Sequence, residues 1–319
     1  MTEPEPSHQL ERTLLGGERR YTRIQVTDAA GVGLDRARRL WMAMGFAEVG
    51  DDDVVFTDGD VEALKVWDAL VDSGMVALSD ETSVARALSQ PLSRLADWQA
   101  QEVLARATEL RATPDQLGAL AENLLPVVEG LQAYVWRRHL AAATGRALAV
   151  GGAESSVQVS VVGFADIVGF TTTTRHSNVD ELTALLEAFE KDASDTIAAR
   201  RGRIVKTVGD EVLFVADSPA DAAEIALCLA DPARDDEGLP TLRVGLAMGR
   251  VLSRYGDVYG SVVNLAARLT ALARPGTVLV DKELADALSA DDSYQLRPRR
   301  PTAVRGYHHL RSWSLRRVG

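Results

Sequence analysis

The amino-acid sequence predicts an α+β protein in which an all-helical first half precedes a second half that mixes strands with helices. Apolar residues recur at helical spacing through most of residues 21–148. Beyond residue 156, short apolar runs typical of strands alternate with amphipathic stretches. A stretch containing Gly and Ser without periodicity, residues 149–156, separates the two patterns and predicts a linker between domains at 21–148 and 157–319.

Length and composition agree with two globular domains, since 319 residues exceed what one core usually covers. The single cysteine, Cys228, excludes an intramolecular disulfide and a multi-cysteine zinc site. The net charge of -11 argues against broad binding to nucleic acid or anionic membranes. Residues 1–20 predict a flexible tail without signal-peptide character, and no stretch approaches the roughly 18 apolar residues of a membrane span. We therefore expect a cytoplasmic protein.

The helical half contains two long amphipathic patterns, over residues 92–110 and 114–143. Pro126 falls inside the second pattern and predicts a kink or a break there. A further interpretation is that these helices enclose a pocket for an apolar ligand. Four tryptophans are interpreted as core residues rather than cofactor contacts: Trp41, Trp67, Trp98 and Trp136.

Residues 21–46 resemble a helix-turn-helix, in which Arg36, Arg38 and Arg39 could face phosphates. The acidic run at 51–53 and the acidic balance of the whole chain count against DNA binding. A structural helical fold is therefore the favoured interpretation of this segment.

The second half predicts strand, helix, strand, strand, helix and strand in that order, which is the order of a ferredoxin-like sheet. Asn178 and Glu181 form a capping pair that opens the first helix, and Ser218 caps the second. Gly209-Asp210 predicts a tight turn between the two middle strands. The predicted elements are strands within 157–168, 203–217 and 242–256, a later helix at 262–273 and a strand at 277–281.

Three segments of the second half carry candidate chemistry, and the first is FADIVGFT, residues 164–171. Asp166 interrupts an apolar strand, and a buried carboxylate requires a cation or a full set of hydrogen bonds. The turn around Gly169 could aim backbone N–H groups at a phosphate. The alternative is an aspartate that caps the turn after its strand.

The second segment is KTVGDEVLF, residues 206–214, with Asp210 at a hairpin tip. If the two strands are neighbours in the sheet, Asp166 and Asp210 converge. Two carboxylates together with phosphate oxygens form the usual site for Mg²⁺ or Mn²⁺. A Gly-Asp turn alone is an ordinary hairpin signal.

The third segment is GDVYGSVVNLAARL, residues 256–269. Asp257 precedes a turn, and Asn264 and Arg268 follow at a spacing of four on one helical face. The alternative for such a pair is a solvated helix face.

Together, and in this order, the three segments resemble the signature of the class III nucleotidyl cyclases, over residues from about 157 to 319. The resemblance implies an adenylyl cyclase that needs two Mg²⁺ or Mn²⁺ ions per active site. It also implies these roles: Asp166, Asp210 and the backbone of Ile167 as metal ligands, Phe170, Thr171, Arg243 and Arg305 as phosphate contacts, Lys206 and Asp257 at the purine, and Asn264 and Arg268 at the ribose and the transition state.

The chemistry of ATP cyclisation agrees with these roles. The 3′-hydroxyl attacks the α-phosphorus while pyrophosphate departs, and Arg268 supplies a permanent forked cation for the developing charge. Adenine offers an acceptor at N1 and a donor at its amino group, which Lys206 and Asp257 can satisfy. Guanine reverses both, so ATP is the predicted substrate.

In this family the active site forms between two chains, with the metal-binding aspartates from one chain and the purine- and ribose-binding residues from the other. Because one chain contains both metal-binding aspartates, both purine-binding residues, and Asn264 and Arg268, the resemblance implies a head-to-tail homodimer with two equivalent sites. The helical half more loosely resembles the regulatory domain of soluble actinobacterial cyclases, including a pH-responsive mycobacterial type. We expect it to restrain and release the catalytic dimer, with His139 as one candidate pH sensor. The alternatives are a catalytically silent homologue that senses ATP, a guanylyl cyclase and a transcription regulator.

Overall fold

The chain divides into two units, Met1–Gly151 and Gly152–Gly319, each with its own contacts. The structure, a computed structural model, describes residues 6–149, 157–231, 239–304 and 307–318. Within these residues, no helix has both the length and the hydropathy needed to cross a membrane.

The described part of the first unit is helical. Residues 6–15, which the sequence placed in a flexible tail, instead form a helix that contacts the last helix of the unit, so that prediction is wrong for this stretch. The last helix continues through Pro126, so the chain does not break there, and a kink at this proline stays a prediction. The helices are α1 Pro6–Leu15, α2 Arg23–Ala30, α3 Leu34–Met44, α4 Asp58–Asp72, α5 Glu81–Glu109 and α6 Pro114–Ala149.

A small apolar core holds α2, α3, α4 and the start of α5 together. Trp41 stacks on Phe56 with ring centroids 4.5 Å apart, and Trp67 is buried in the same core. Trp98 and Trp136 are instead 55% and 61% exposed. The prediction of core tryptophans is therefore confirmed for Trp41 and Trp67 and wrong for the other two.

Of the three arginines that could face phosphates, Arg36 and Arg38 are held by carboxylates of their own unit. Arg36 bonds Glu81, with Nη2 and Oε1 2.7 Å apart, and also pairs with Asp68. The Glu81 side chain is only 4% exposed, so this pair joins α3 to α5 inside the unit. Arg38 pairs with Glu48 at the surface. These contacts support the structural interpretation of the segment.

The second unit is built on a mixed sheet of eight strands among its described residues. Its elements are β1 Val157–Ile167, α7 Phe170–Thr173, α8 Val179–Ala199, β2 Arg203–Val208, β3 Glu211–Ala216, α9 Pro219–Leu229, β4 Leu242–Arg254, β5 Asp257–Tyr259, α10 Ser261–Leu272, β6 Val278–Val280, α11 Lys282–Leu288, β7 Tyr294–Pro298, β8 Thr302–Val304, β9 Tyr307–Leu310 and β10 Trp313–Arg317.

The strands lie in the order β2-β3-β1-β4-β6-β10-β7, and β5 pairs with β4. The first four are antiparallel neighbours, and with α8 and α9 they form the predicted ferredoxin-like arrangement, which is confirmed. β6 then joins β4 in parallel. β8 and β9 form a separate hairpin.

Two helices of this unit, α8 and α9, begin at the capping residues that the sequence predicted. The Asn178 side chain accepts the N–H of Glu181, whose carboxylate accepts the N–H of Asn178 in return. This capping box satisfies two N–H groups that the first helical turn leaves without partners. Ser218 accepts the N–H of Asp221 at the start of α9. Both predicted caps are confirmed.

Helices cover both faces of the sheet. One core contains side chains from α8, α9 and α11, and the other contains those of α10. On β4, a Cβ atom built on Gly245 would lie 2.2 Å from the backbone nitrogen of Thr270, closer than atoms can approach. Glycine is therefore required here for α10 to pack directly on the sheet.

Candidate active site

A row of charged side chains crosses three neighbouring strands at one end of the sheet. Glu211 of β3 lies directly opposite Asp166 of β1, and Asp166 lies directly opposite Arg243 of β4. Residues opposed in this way project from the same face of the sheet. That face is the one that α10 covers, because Phe164, two positions before Asp166, packs in the α10 core.

Asp166 and Arg243 form an ion pair within this row. Nε of Arg243 donates to Oδ2 of Asp166 over 2.6 Å, and Nη2 contacts the same oxygen. The Asp166 side chain is 13% exposed. Burial raises the pKa of this carboxyl above its ordinary value and the nearby Asp210 raises it further, whereas the bonds and charge of Arg243 oppose the rise. Arg243, a predicted phosphate contact, thus forms an ion pair with Asp166, a predicted metal ligand.

The hairpin between β2 and β3 brings Asp210 to the same place. Its two-residue loop begins at Gly209, whose φ of 61° lies in the left-handed region that glycine adopts without strain. The carbonyl of Asp210 accepts a hydrogen bond from the N–H of Ile167 over 3.0 Å. The carboxylate of Asp210 is close enough to Asp166 to raise its pKa. The structure therefore brings the two predicted metal ligands together.

Glu211 is a third carboxylate of this site, and the sequence analysis missed it. Burial raises its pKa to about 7, with added contributions from the charges of Asp166 and Asp210, while Arg243 opposes the rise. Its place directly after Asp210 was the only signal in the sequence. Strand register is what sets it beside Asp166. Three carboxylates and one guanidinium leave a local excess of negative charge.

The donor set of this end of the sheet fits a hard divalent cation. Asp166 and Asp210 offer only oxygen atoms, as Mg²⁺ and Mn²⁺ prefer. Ile167 has a hydrocarbon side chain without any donor atom, so only its backbone carbonyl can contribute. Although Glu211 lies beside these two aspartates, no three His, Cys, Asp or Glu residues in the part of the chain that the structure describes are arranged to hold a metal by themselves. The residues therefore fit a cation that takes its remaining ligands from substrate phosphates or water.

Phe170 and Thr171 follow directly after the strand that carries Asp166. Gly169, with φ of 76°, turns the chain, and Phe170 begins the single helical turn α7. Phe170 packs partly against the core, whereas Thr171 is exposed. Both predicted phosphate contacts thus lie at the carboxylate end of β1.

Lys206 and Asp257 form a second charged pair. Nζ of Lys206 donates to Oδ2 of Asp257 over 2.6 Å, and the N–H of Val258 donates to Oδ1 over 2.8 Å. Burial acts to raise the pKa of Asp257, but the bonds from Lys206 and Val258 and the lysine charge outweigh it, so the pKa lies below its ordinary value. The side chains are 45% and 28% exposed, which leaves both open to a ligand.

Asn264 and Arg268 share one face of α10, as their spacing predicted, and both are exposed. Ala266 and Leu269 are buried against the sheet on the opposite side of the helix. Within one chain, therefore, Asn264 and Arg268 point away from the face that carries Asp166.

The predicted site residues thus fall into separate sets. One set lies at the end of the sheet that carries Asp166. The two residues of a second set pair with each other between β2 and β5, and a third set lies on the outer face of α10. Arg305 lies outside the described residues. The first set is Asp166, Ile167, Phe170, Thr171, Asp210 and Arg243, the second is Lys206 and Asp257, and the third is Asn264 and Arg268.

Known proteins are similar to this chain over most of its length. The sequence profile of the family described as the adenylate and guanylate cyclase catalytic domain matches residues 152–317. An adenylate cyclase of Streptomyces coelicolor is 46% identical over 88% of this chain and 74% of its own length. An adenylate cyclase of Glutamicibacter nicotianae is 39% identical over 96% of this chain and 81% of its own. A pH-sensitive adenylate cyclase of Mycobacterium tuberculosis is 32% identical over 92% and 78%.

Proposed function

Because the chain belongs to the family of the adenylate and guanylate cyclase catalytic domain, we propose that it converts ATP to 3′,5′-cyclic AMP and pyrophosphate. Relatives at 39% and 46% identity that are named adenylate cyclase support this activity. The single observation that carries the choice of ATP over GTP is the Lys206–Asp257 pair. We further propose that residues 157–319 are catalytic and residues 21–148 regulatory.

The pair is suited to the edge of adenine. The pKa of Asp257 lies below its ordinary value, so this carboxyl is ionised at neutral pH. An ionised carboxylate can only accept hydrogen bonds, for example from the 6-amino group of adenine. Lys206 can only donate, as to N1. Guanine presents a donor and an acceptor in the reverse order, which would leave both charged groups against like partners. Mispaired polar groups of this kind give strong discrimination.

The end of the sheet that carries Asp166 and Asp210 is the proposed site for the metal ions and the polyphosphate. Asp166, Asp210 and the Ile167 carbonyl would hold Mg²⁺ or Mn²⁺, two ions per site, as the excess negative charge there favours. When bound, such ions lower the pKa of the attacking 3′-hydroxyl and neutralise phosphate charge. Arg243 places a guanidinium at the same point, where it can bind phosphate oxygens in a forked geometry. The backbone at Phe170 and Thr171, together with Arg305, completes the proposed phosphate contacts.

Asn264 and Arg268 are proposed to act on the substrate held by a second chain. Their exposed position on α10, turned away from the carboxylates of their own sheet, supports this arrangement. Asn264 would orient the ribose, and Arg268 would meet the negative charge that develops on the α-phosphoryl group. Since each chain carries all three sets of site residues, a symmetric head-to-tail homodimer would have two equivalent sites.

The first unit is proposed to regulate this dimer through α6. This helix of 36 residues ends at Ala149 and β1 begins at Val157, so a change in α6 would reach the second unit along the chain between these two residues. His139 is exposed on α6, and a relative named pH-sensitive supports a pH signal. The test compares the pH profiles of the full chain and of residues 151–319 between pH 5 and 8. Identical profiles would rule out a regulatory role in pH sensing.

The catalytic proposal is tested by measuring cyclic nucleotide formation from ATP and GTP with Mg²⁺ or Mn²⁺. We expect cyclic AMP from ATP, with activity abolished in Asp210→Ala. Asp195→Ala is the matched control, because Asp195 is an exposed aspartate on α8 that pairs only with Lys191 among the described residues. Preferential use of GTP would favour a guanylyl cyclase. No product under any condition would favour a catalytically silent homologue that senses ATP.

A further inference from the structure

The C-terminal part of the chain has a charge opposite to that of the whole. Residues 293–319 contain seven arginines and no aspartate or glutamate, in a protein of net charge -11. Arg317 is neutralised by Glu224 of α9. Arg299 and Arg300, between β7 and β8, form no ion pair with any residue that the structure describes, so their charges are available to an anion.

These two arginines line a cleft of about 420 Å³ in the second unit. Thr302 and Ser312 add hydroxyl groups to its wall, and Leu272 and Leu279 add apolar side chains. Most of the lining is therefore polar and positively charged. A cleft of this size holds a small ligand, and guanidinium groups in its lining favour an anion.

Ser312 gives an independent sign of a ligand in this cleft. The residue is only 6% exposed, yet its hydroxyl makes no hydrogen bond to the described residues. Its backbone carbonyl is satisfied, since it accepts the N–H of Arg299 over 2.9 Å. A hydroxyl on the wall of the cleft without a protein partner can donate its hydrogen bond into the cleft. A ligand oxygen there would accept this bond.

We propose that this cleft binds a small phosphate-bearing anion. A phosphate group has enough oxygens to accept forked bonds from Arg299 and Arg300 together with a bond from Ser312. No residue of the cleft belongs to the carboxylate row or to the Lys206–Asp257 pair, and the proposal does not depend on cyclase activity. Leu272 does follow Arg268 by one turn of α10, so the experiment must separate the cleft from the outer face of that helix.

The test is isothermal titration of the full chain with inorganic pyrophosphate, in buffer with EDTA and without nucleotide. We expect one binding event per chain, weakened about tenfold or more in Arg299→Ala/Arg300→Ala, which corresponds to the loss of about 1.4 kcal/mol or more. Ser312→Ala should weaken binding several-fold without any change in charge. Since Ser312→Ala is nearly isosteric, it remains informative if the double arginine variant fails to fold.

The matched control is Arg297→Ala/Arg316→Ala, which removes the same charge from exposed positions of β7 and β10 outside the cleft. This control and Arg268→Ala should bind pyrophosphate as the native chain does. Equal weakening by the control would mean general charge attraction, and loss in Arg268→Ala would assign the anion to α10; either result overturns the proposal. Absence of binding to the native chain also overturns it. Parallel titrations with inorganic phosphate and AMP distinguish a free anion from the phosphate of a nucleotide.

Discussion

Lys206 donates a hydrogen bond to Asp257 over 2.6 Å, although 51 positions separate the two residues in the chain. The contact joins β2 to β5, so it exists only when the sheet is assembled. It also orients both side chains before any ligand arrives. A purine must therefore fit a pair whose charges and directions are already set, which is the basis of the first prediction.

Lys206→Ala should lower kcat/KM for ATP by about 10²-fold and narrow the difference between ATP and GTP, because a pocket loses discrimination with its polar partner. Asp257 would then keep its charge without the lysine beside it. The measurement is kcat/KM for both nucleotides. Lys191→Ala, which removes a lysine that also pairs with an aspartate, Asp195 on α8, but is more exposed than Lys206, should change neither value. Unchanged selectivity in Lys206→Ala would remove the pair from purine recognition.

An equal mixture of Asp210→Ala and Arg268→Ala chains should recover activity that neither variant has alone. In a head-to-tail dimer, half of the dimers would contain one of each chain, and one of their two sites would be intact. We therefore expect about one quarter of the native activity. The measurement is cyclic AMP formation before and after the two proteins are mixed and allowed to exchange.

Recovery should be absent when Asp210→Ala is mixed with Asp166→Ala, because both changes fall in the same set of residues. If the first mixture stays inactive while size measurements show mixed dimers, the two sets do not meet between chains.

Asp281→Asn should stabilise the protein more at pH 8 than at pH 5. Asp281 is 2% exposed, and burial raises its pKa to about 7, although bonds from the N–H groups of Leu284 and Met248 oppose the rise. A carboxyl with a raised folded-state pKa contributes stability that is complete below the ordinary value of 3.8 and is lost as the pH rises through about 7. Asparagine retains an acceptor for α11 without this loss.

The measurement is Tm of the native chain and of the variant at both pH values, and the Tm gain should grow by about 3 °C or more between them. Asp291→Asn is the control. The N–H of Ser293 lowers the pKa of Asp291, so this group stays ionised over the whole range. Its Tm difference should therefore be the same at pH 5 and pH 8. A constant difference for Asp281→Asn would mean that the buried carboxyl titrates normally.

Arg36→Ala should destabilise the first unit by about 3–5 kcal/mol, because it leaves the buried carboxylate of Glu81 without its cation. Arg38→Ala removes a surface pair whose side chains are 50% and 55% exposed, so the expected cost is about 1 kcal/mol or less. Urea unfolding followed by tryptophan fluorescence reports on this unit, since Trp41 and Trp67 lie in its core. A similar loss of unfolding free energy in the two variants would show that the buried pair of Arg36 and Glu81 contributes no more to stability than the surface pair.

Local chemistry made much of this protein predictable from its sequence. Capping residues, turn glycines and apolar periodicity act over a few positions, so the helix starts at Asn178 and Ser218 and the hairpin at Gly209 could be predicted. The strand and helix order then specified the ferredoxin-like sheet. The candidate residues from Asp166 to Arg268 were found because their motifs are contiguous in the chain.

Contacts between distant positions were decided by the tertiary structure alone. Cross-strand register sets Glu211 beside Asp166 and brings Arg243 onto the same carboxylate, and no local pattern encodes a register. Burial likewise depends on the whole unit, which is why Trp98 is exposed and residues 6–15 form a helix. The packing of α10 on the sheet decides that Arg268 faces outward. A sequence names the groups that can react, but only the packed chain decides which of them meet.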